Sequence, residues 1–177
     1  MMSRSEAPAM ENIVRRIPRR SPKQLLEVGF GLGVSAHLLQ QIVKPLNHDI
    51  VEIDRGIYKD LMRFSRTRKG VRPILGDFWE FPVRRKYDLI FFDAFDYDCE
   101  RETTPEEDDD YDAEKSTRMI ELLKDDGLVC CPEFGPGRPE PMPGFRRVLF
   151  KKFTVAPFLL DDGTQSDRAG IVCWQKA

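Results

Sequence analysis

The chain has 177 residues and a formal net charge of −2, with 41% hydrophobic and 33% charged residues. This length predicts one domain, residues 1–177, that is large enough to bury a core. The net negative charge argues against a general nucleic-acid-coating protein, and no apolar run approaches the roughly 18 residues that span a bilayer.

Cysteine and histidine usage predicts a reduced, cytoplasmic protein without a metal site. The four cysteines show no CxxC spacing, which favours free thiols. His37 and His48 are too few and too isolated to predict a metal centre. Several arginines make residues 1–23 basic, and we expect a helical segment over the site there. The segment lacks the apolar core of a signal peptide.

Apolar runs of strand length alternate with helix-like segments along the chain. This order predicts an α/β fold with a mostly parallel, seven-stranded sheet flanked by helices. The last two strands are expected to form an antiparallel hairpin at the sheet edge. The predicted strands are Gln24–Val28, Asp49–Ile53, Val71–Leu75, Tyr87–Phe92, Leu128–Cys131, Phe153–Phe158 and Ala169–Trp174. The predicted helices are Val34–Val43, Gly56–Arg66, Asp112–Leu123 and Pro143–Lys151.

An acidic stretch, CERETTPEEDDDYD from Cys99 to Asp112, interrupts the alternation. Its charge density cannot be buried, so residues 97–112 are predicted to form a solvated surface loop. The loop follows the fourth strand and lies at the carboxyl edge of the sheet, where ligands bind in such folds. It either attracts a cationic substrate or serves only solubility.

The stretch LLEVGFGLGVSAHLL places three glycines between the first strand and the first long helix. Glycines at Gly29, Gly31 and Gly33 let backbone N–H groups approach a ligand closely. The dinucleotide fingerprint requires glycine at the position of Val34, so this motif is not a typical NAD site. An acid, Glu27, precedes the glycines and is expected to support the turn or to reach a ligand through water.

Acids and aromatic residues follow the next three strands. Glu52 lies roughly twenty residues beyond the glycines, where a carboxylate accepts both ribose hydroxyl protons. Asp54 competes for that role, and Ile53 lies between the two. After the third strand, Asp77 is placed to accept a hydrogen bond from an adenine amine. The fourth strand is followed by Asp93, at the place of group transfer.

Two aromatic residues complete the predicted nucleotide site. Phe78 and Trp79 follow Asp77 directly, and either ring is expected to lie against an adenine. The alternative is that both rings belong to the hydrophobic core. With the glycines, these residues resemble the motifs of S-adenosylmethionine-dependent methyltransferases. That resemblance implies a Rossmann-like class I methyltransferase fold, S-adenosylmethionine as methyl donor and no metal ion.

The resemblance narrows to the guanidinoacetate N-methyltransferase family. LLEVGFG, then IVEIDRGIY and GDFWE, is similar to that family's VLEVGFG, IIE and LWE segments in the same order. Upstream, EAPAM from Glu6 to Met10 resembles the family's ETPYM. The likeness implies that Glu6 and Asp93 hold a guanidino group, and that one of them accepts its proton during N-methylation.

The expected partner is therefore a small cationic guanidino or amino substrate, with no membrane and no nucleic acid. A homodimer is one expected assembly. Two other enzyme classes stay open. YDLIFFDAFD also resembles aminopropyltransferases such as spermidine synthases, and EVGFGLG also resembles tRNA guanine-N7 methyltransferases. A third alternative is a non-catalytic cofactor-binding scaffold, because the segment before the glycines is shorter than in the family.

Overall fold

The computed structural model describes residues 7–18, 21–94, 105–134, 137–159 and 165–177. The helices are α1 (Ala7–Val14), α2 (Val34–Leu38), which continues as a π-helix (Leu39–Val43), α3 (Arg55–Arg66) and α4 (Pro105–Leu122). The strands are β1 (Gln24–Val28), β2 (Asn47–Glu52), β3 (Val71–Leu75), β4 (Tyr87–Phe92), β5 (Leu123–Phe134), β6 (Phe145–Leu159) and β7 (Gln165–Lys176).

These strands form a seven-stranded sheet in the order β3-β2-β1-β4-β5-β7-β6. The strands from β3 to β5 are parallel to their neighbours. Strand β7 is antiparallel to both β5 and β6, and β6 lies at the sheet edge. The mostly parallel sheet and the antiparallel hairpin at its edge confirm the predicted fold class.

Side chains from both faces of the sheet form the core. On one face, which we call the α1 face, Met10 and Ile13 of α1 pack with Leu25, Leu89 and Phe91. On the opposite face, the α4 face, the β3–β4 connection and α4 supply the cover. On this face, side chains of the connection and of α4 pack against those of the sheet. The former are Phe78, Phe81, Met119 and Leu122, and the latter are Leu26, Ile90 and Trp174.

The predicted helix Pro143–Lys151 is wrong, because the structure has a turn at Pro143 and Gly144 and strand β6 from Phe145 onward. The apolar residues Phe145, Leu149 and Phe153 are spaced by four, which imitates a helix. The register between β6 and β7 shifts between Arg147 and Leu149. This irregularity moves the following apolar side chains to the other face of the sheet, so period-two alternation is lost in the sequence.

The predicted acidic loop is also corrected in part. Helix α4 begins at Pro105, so residues 105–112 are helical, and residues 97–104 lie outside the described ranges. Proline at the first helical position followed by acidic residues is typical of a helix start, since acids are favoured near the positive end of the helix dipole. The high charge of this stretch hid that signal.

A buried charged cluster joins β2, β3 and β4. Asp49 is 1% exposed and accepts two hydrogen bonds from Arg72, at 2.9 Å from Nε and 2.6 Å from Nη2. The Tyr87 hydroxyl donates to the same carboxylate at 2.7 Å. Burial raises the pKa of Tyr87 most, and the hydrogen bond to Asp49 raises it further. Asp49, the charged residue inside β2, therefore has a structural role, because it links β2 to β3 and β4.

Among the described residues, no helix is long and apolar enough to cross a membrane.

Candidate functional site

The glycine turn after β1 adopts backbone conformations that favour glycine. Gly29, Gly31 and Gly33 have φ angles of +86°, +51° and +74°. A Cβ atom on Gly29 would lie 3.0 Å from the carbonyl oxygen of Asp93, whereas one on Gly31 would meet nothing within 4 Å. The turn therefore packs against the end of β4 at Gly29 and leaves open space at Gly31, where a ligand can approach the backbone.

Glu52 lies at the end of β2 and faces this turn. Its Oε2 accepts hydrogen bonds from the backbone N–H of Phe30 at 2.9 Å and of Gly31 at 3.4 Å. Its Oε1 accepts from the N–H of Asp54 at 2.8 Å. The side chain is 5% exposed. Glu52 thus connects two strand ends and already acts as an acceptor beside the open part of the turn, while neighbouring Ile53 is 58% exposed.

Asp54, the alternative ribose ligand, has a different role in the structure. It is the N-cap of α3, and its Oδ1 accepts from the N–H groups of Gly56 at 2.7 Å and Ile57 at 2.8 Å. These bonds satisfy donors that the first helical turn leaves without partners. The geometry therefore favours Glu52 over Asp54 as the carboxylate that faces a ligand at the turn.

We expect Asp54→Ala to reduce stability by about 1 kcal/mol, the usual cost of losing an N-cap side chain. Ligand affinity at the turn should change by less than about twofold, because Glu52 keeps its position. Urea denaturation and calorimetric titration of the same variant measure the two quantities. A large loss of affinity with unchanged stability would instead make Asp54 the ligand-binding acid.

Asp93 follows β4 and lies against the glycine turn. Its backbone N–H donates to the carbonyl of Val28 at 3.1 Å, and its own carbonyl lies where a Cβ of Gly29 would clash. The contact places the residue after β4 beside the residue after β1, as expected of adjacent parallel strands that share a carboxyl edge. The structure thus brings the turn, Glu52 and Asp93 together.

The predicted adenine residues lie between β3 and β4. Asp77 Oδ1 accepts from the N–H of Trp79 at 2.9 Å, so this carboxylate also shapes its own turn. Phe78 is 6% exposed and makes edge-to-face contacts with Trp79 and Phe92, each with ring centroids 5.2 Å apart. Phe78 is therefore a core residue that reaches the end of β4. Trp79 and Asp77 are only partly buried and keep surface for a ligand.

Glu27 lies on β1, and its side chain is fully buried. Its Oε2 lies 2.9 Å from Nε2 of His48, which is also fully buried, but the pair is not aligned as a hydrogen bond. Nδ1 of His48 lies 3.0 Å from Nε2 of Gln40 on the π-helix. Both carboxylate oxygens of Glu27 lack an aligned donor, so a contact through water stays a prediction.

Three residues near the end of β4 were not predicted from the sequence. The ammonium of Lys115 in α4 lies 4.6 Å from the centre of the Phe92 ring. The Cys131 thiol, on β5, is within electrostatic range of Lys115, Glu133 and Asp93, and burial raises its pKa to about 12. Nothing in the sequence separates this lysine or this glutamate from other charged residues. Only the adjacency of α4, β4 and β5 brings them to the site.

Burial raises the pKa of Glu133 above its usual range, and nearby Lys152 and Lys115 oppose that shift. A carboxyl group whose pKa is higher in the folded state holds its proton more tightly there than in the unfolded chain. Stability therefore falls as pH rises from the unfolded value, about 4.3, through the raised folded value. Glu133→Gln removes the cost of ionising this buried carboxyl group. The variant should therefore melt at a higher temperature than wild type, by a margin that grows between about pH 4 and pH 7.

Thermal unfolding of both proteins across that range measures the difference. A gap that does not change with pH would show that Glu133 titrates alike in the folded and unfolded states.

A cavity of about 570 Å³ lies on the α1 side of the turn. Its lining is mainly apolar and includes Pro8, Phe30, Val34, Leu38 and Phe64. Of the predicted site residues that the structure describes, Gly33 is the one that lines it. Phe30 and Gly33 belong to the glycine turn, so this cavity adjoins the turn, while Glu52 and Asp93 do not line it.

One predicted site residue, Glu6, lies outside the described ranges, so its pairing with Asp93 stays a prediction. In the basic N-terminal segment, Arg15 pairs with Glu11 at 2.6 Å, and the Arg16 guanidinium lies 4.3 Å from the centre of the Phe153 ring. Arg16 therefore packs against β6, while the Arg15–Glu11 ion pair lies at the surface. The described residues contain no group of three His, Cys, Asp or Glu side chains placed to hold a metal ion.

Comparison with known proteins gives a family match and many structural neighbours. A family model described as guanidinoacetate N-methyltransferase matches residues 1–131. Comparison with curated protein sequences gives no significant match.

Three solved structures illustrate the shared fold. The N-methyltransferase NodS from Bradyrhizobium japonicum superposes with a TM-score of 0.70 at 10% identity, over 98% of this chain and 95% of that chain. TYW2 from M. jannaschii in complex with AdoMet gives 0.60 at 13% identity, over 100% and 78%. TrmN from Thermus thermophilus gives 0.60 at 15% identity, over 97% and 48%. At such identities the likeness establishes the fold alone.

Proposed function

Because the chain belongs to the guanidinoacetate N-methyltransferase family, we propose that it methylates a nitrogen of a small guanidino or amino compound. The chain is an S-adenosylmethionine-dependent methyltransferase with a Rossmann-like class I fold. The observation that carries the proposal is the meeting of an open glycine turn, the Glu52 carboxylate and Asp93 at one edge of the sheet.

The residues at this edge fit S-adenosylmethionine. The space beside Gly31 is open, since a Cβ atom at this residue would have no heavy atom within 4 Å. In this proposal the turn from Gly29 to Gly33 lies along the methionine part, and Glu52 gives up a backbone donor to accept from the ribose hydroxyls. Asp77 and Trp79 lie beside the adenine. When bound, the cofactor supplies a methyl group on a sulfonium, which is a good leaving centre.

Asp93 is proposed as the residue that handles the acceptor nitrogen. A protonated guanidino nitrogen lacks an available lone pair, and a carboxylate that accepts its proton restores nucleophilicity. The same carboxylate holds the planar N–H donors of the group and so aligns the nitrogen with the transferred methyl. Glu6 is proposed as a second carboxylate on the guanidino group, on the basis of the EAPAM motif.

The acceptor is tested by methyl transfer from labelled S-adenosylmethionine. The panel contains guanidinoacetate, arginine, agmatine, putrescine, spermidine and transfer RNA, each incubated with wild type and with Asp93→Asn. We expect label in one or more guanidino or amino compounds with wild type alone. Label in transfer RNA alone would contradict the small-molecule proposal.

Two further outcomes separate the remaining alternatives. Formation of spermidine from putrescine and decarboxylated S-adenosylmethionine would identify an aminopropyltransferase. Cofactor binding without product from any acceptor would support the scaffold alternative.

A cytoplasmic location and a homodimer are proposed as well, and light scattering of the purified protein tests the assembly.

A further inference from the structure

Two cysteines face each other across the neighbouring strands β5 and β7. Cys130 on β5 and Cys173 on β7 are direct partners in the antiparallel register. Their sulfur atoms lie 2.8 Å apart. Both side chains are fully buried in the core of the α1 face. The sulfur-to-sulfur contact excludes any other group from the space between them.

We propose that Cys130 and Cys173 form a reversible disulfide that joins β5 to the β6–β7 hairpin. Residues directly opposite each other on antiparallel strands have Cα atoms about 4.5–5.5 Å apart. That separation lies within the range of about 4.4–6.8 Å that disulfides span. The bond therefore fits within the sheet without displacing either strand.

Neighbouring Cys131 does not compete for either partner. Successive side chains on a strand point to opposite faces, and Cys131 packs with the α4 face whereas Cys130 packs with the α1 face. Its register partner on β7 is Val172, not a cysteine. The pairing of Cys130 with Cys173 is thus specified by register and by face.

The oxidant in this proposal is a low-molecular-weight disulfide such as oxidised glutathione. Both thiols are fully buried, so the exchange begins when the β6–β7 hairpin separates transiently from β5. One protein thiolate then attacks a glutathione sulfur, forms a mixed disulfide and releases one reduced glutathione. The second protein thiolate then displaces the other glutathione. The two protein thiols are oxidised to one disulfide, their two protons end on two glutathione thiols, and a dithiol reductant reverses the reaction.

The bond would constrain the C-terminal half of the sheet. It closes a loop from residue 130 to residue 173 that contains the end of β5, all of β6 and most of β7. Because β6 lies at the sheet edge, separation of the hairpin from β5 is the local opening that exposes the two thiols. Oxidation blocks that route. Since both thiols are buried, we expect the reaction to take minutes to hours without a catalyst.

The test uses Cys99→Ser/Cys131→Ser, which retains Cys130 and Cys173. The native protein is incubated with oxidised glutathione, quenched in acid, denatured, alkylated and weighed by mass spectrometry. We expect a species about 2 Da lighter than the reduced protein that accepts no alkylating reagent, and dithiothreitol should restore two reactive thiols. The oxidised form should also melt at a higher temperature than the reduced form.

Cys99→Ser/Cys173→Ser is the matched control, because it retains Cys130 and Cys131 on opposite faces of β5. It should show no such closure. The proposal is overturned if both thiols of the first variant stay reactive, or if oxidation stops at a glutathione adduct. If the double variants do not fold, non-reducing peptide mapping of wild type decides the same question: a link to Cys131 or Cys99 contradicts the proposal.

Discussion

Asp93→Asn is expected to lower methyl transfer by roughly 10²–10⁴-fold, the usual contribution of a general base. Asparagine has nearly the same shape, and the backbone contacts of residue 93 with Val28 and Gly29 do not involve the side chain. The variant should therefore fold normally and bind S-adenosylmethionine with nearly unchanged affinity. What it loses is a carboxylate that can accept a proton from the acceptor nitrogen.

Single-turnover kinetics with the best acceptor, together with calorimetric titration of the cofactor, separate the chemical step from binding. Asp60→Asn is a suitable control. It makes the same chemical change on the surface of α3, where the Asp60 side chain is 63% exposed and pairs with Arg63. Wild-type rates for Asp60→Asn are expected. A fully active Asp93→Asn protein would remove this residue from the mechanism.

Glu52→Ala has the second largest expected effect, on cofactor affinity. The carboxylate supplies charge-assisted hydrogen bonds to the ribose in the proposed complex, which are worth about 1.5–3 kcal/mol. The dissociation constant should rise by roughly 10- to 150-fold. The structure adds a second contribution, because Glu52 accepts from Phe30 and Gly31 and so holds the turn in place. The loss should lie toward the upper end of this range.

Glu52→Gln distinguishes these two contributions. Glutamine keeps one oxygen that can accept from the turn but removes the charge, so its loss of affinity should lie between those of wild type and alanine. Asp54→Ala, on the α3 N-cap, controls for a general disturbance of this strand end. Unchanged cofactor affinity in Glu52→Ala would reject its assignment to the ribose.

Residue type and spacing along the chain predicted several strands of the parallel part of the sheet closely. The bounds of β1, β3 and β4 agree with the prediction. For β1 and β4 the signal is a short, nearly all-apolar run, which is typical of a strand covered on both faces. Prediction failed in the first part of β6, before Phe153, where an irregular register breaks the alternation. It also failed at the start of α4, where charge obscured a helix start at Pro105. In both places the sequence pattern was compatible with two backbone conformations.

At the site, the residues that chemistry requires could be named in advance, but their individual roles could not. Glu52 and Asp54 are equally acidic and two positions apart. The structure separates them because β2 ends at Glu52 beside the glycine turn and because α3 needs a cap at its first turn. Phe78 was equally ambiguous, and its contacts with Phe92 make it part of the core.

The sequence by itself determined the fold class, the glycine turn and the order of acids after successive strands, since these depend on residue type and spacing along the chain. Only the tertiary structure decided which side chains become neighbours across strands. The Cys130–Cys173 pair, the Glu27–His48 pair and the approach of Lys115, Glu133 and Asp93 to Cys131 all depend on it. Strand register and the packing of α4 set these distances, and neither is encoded by local spacing.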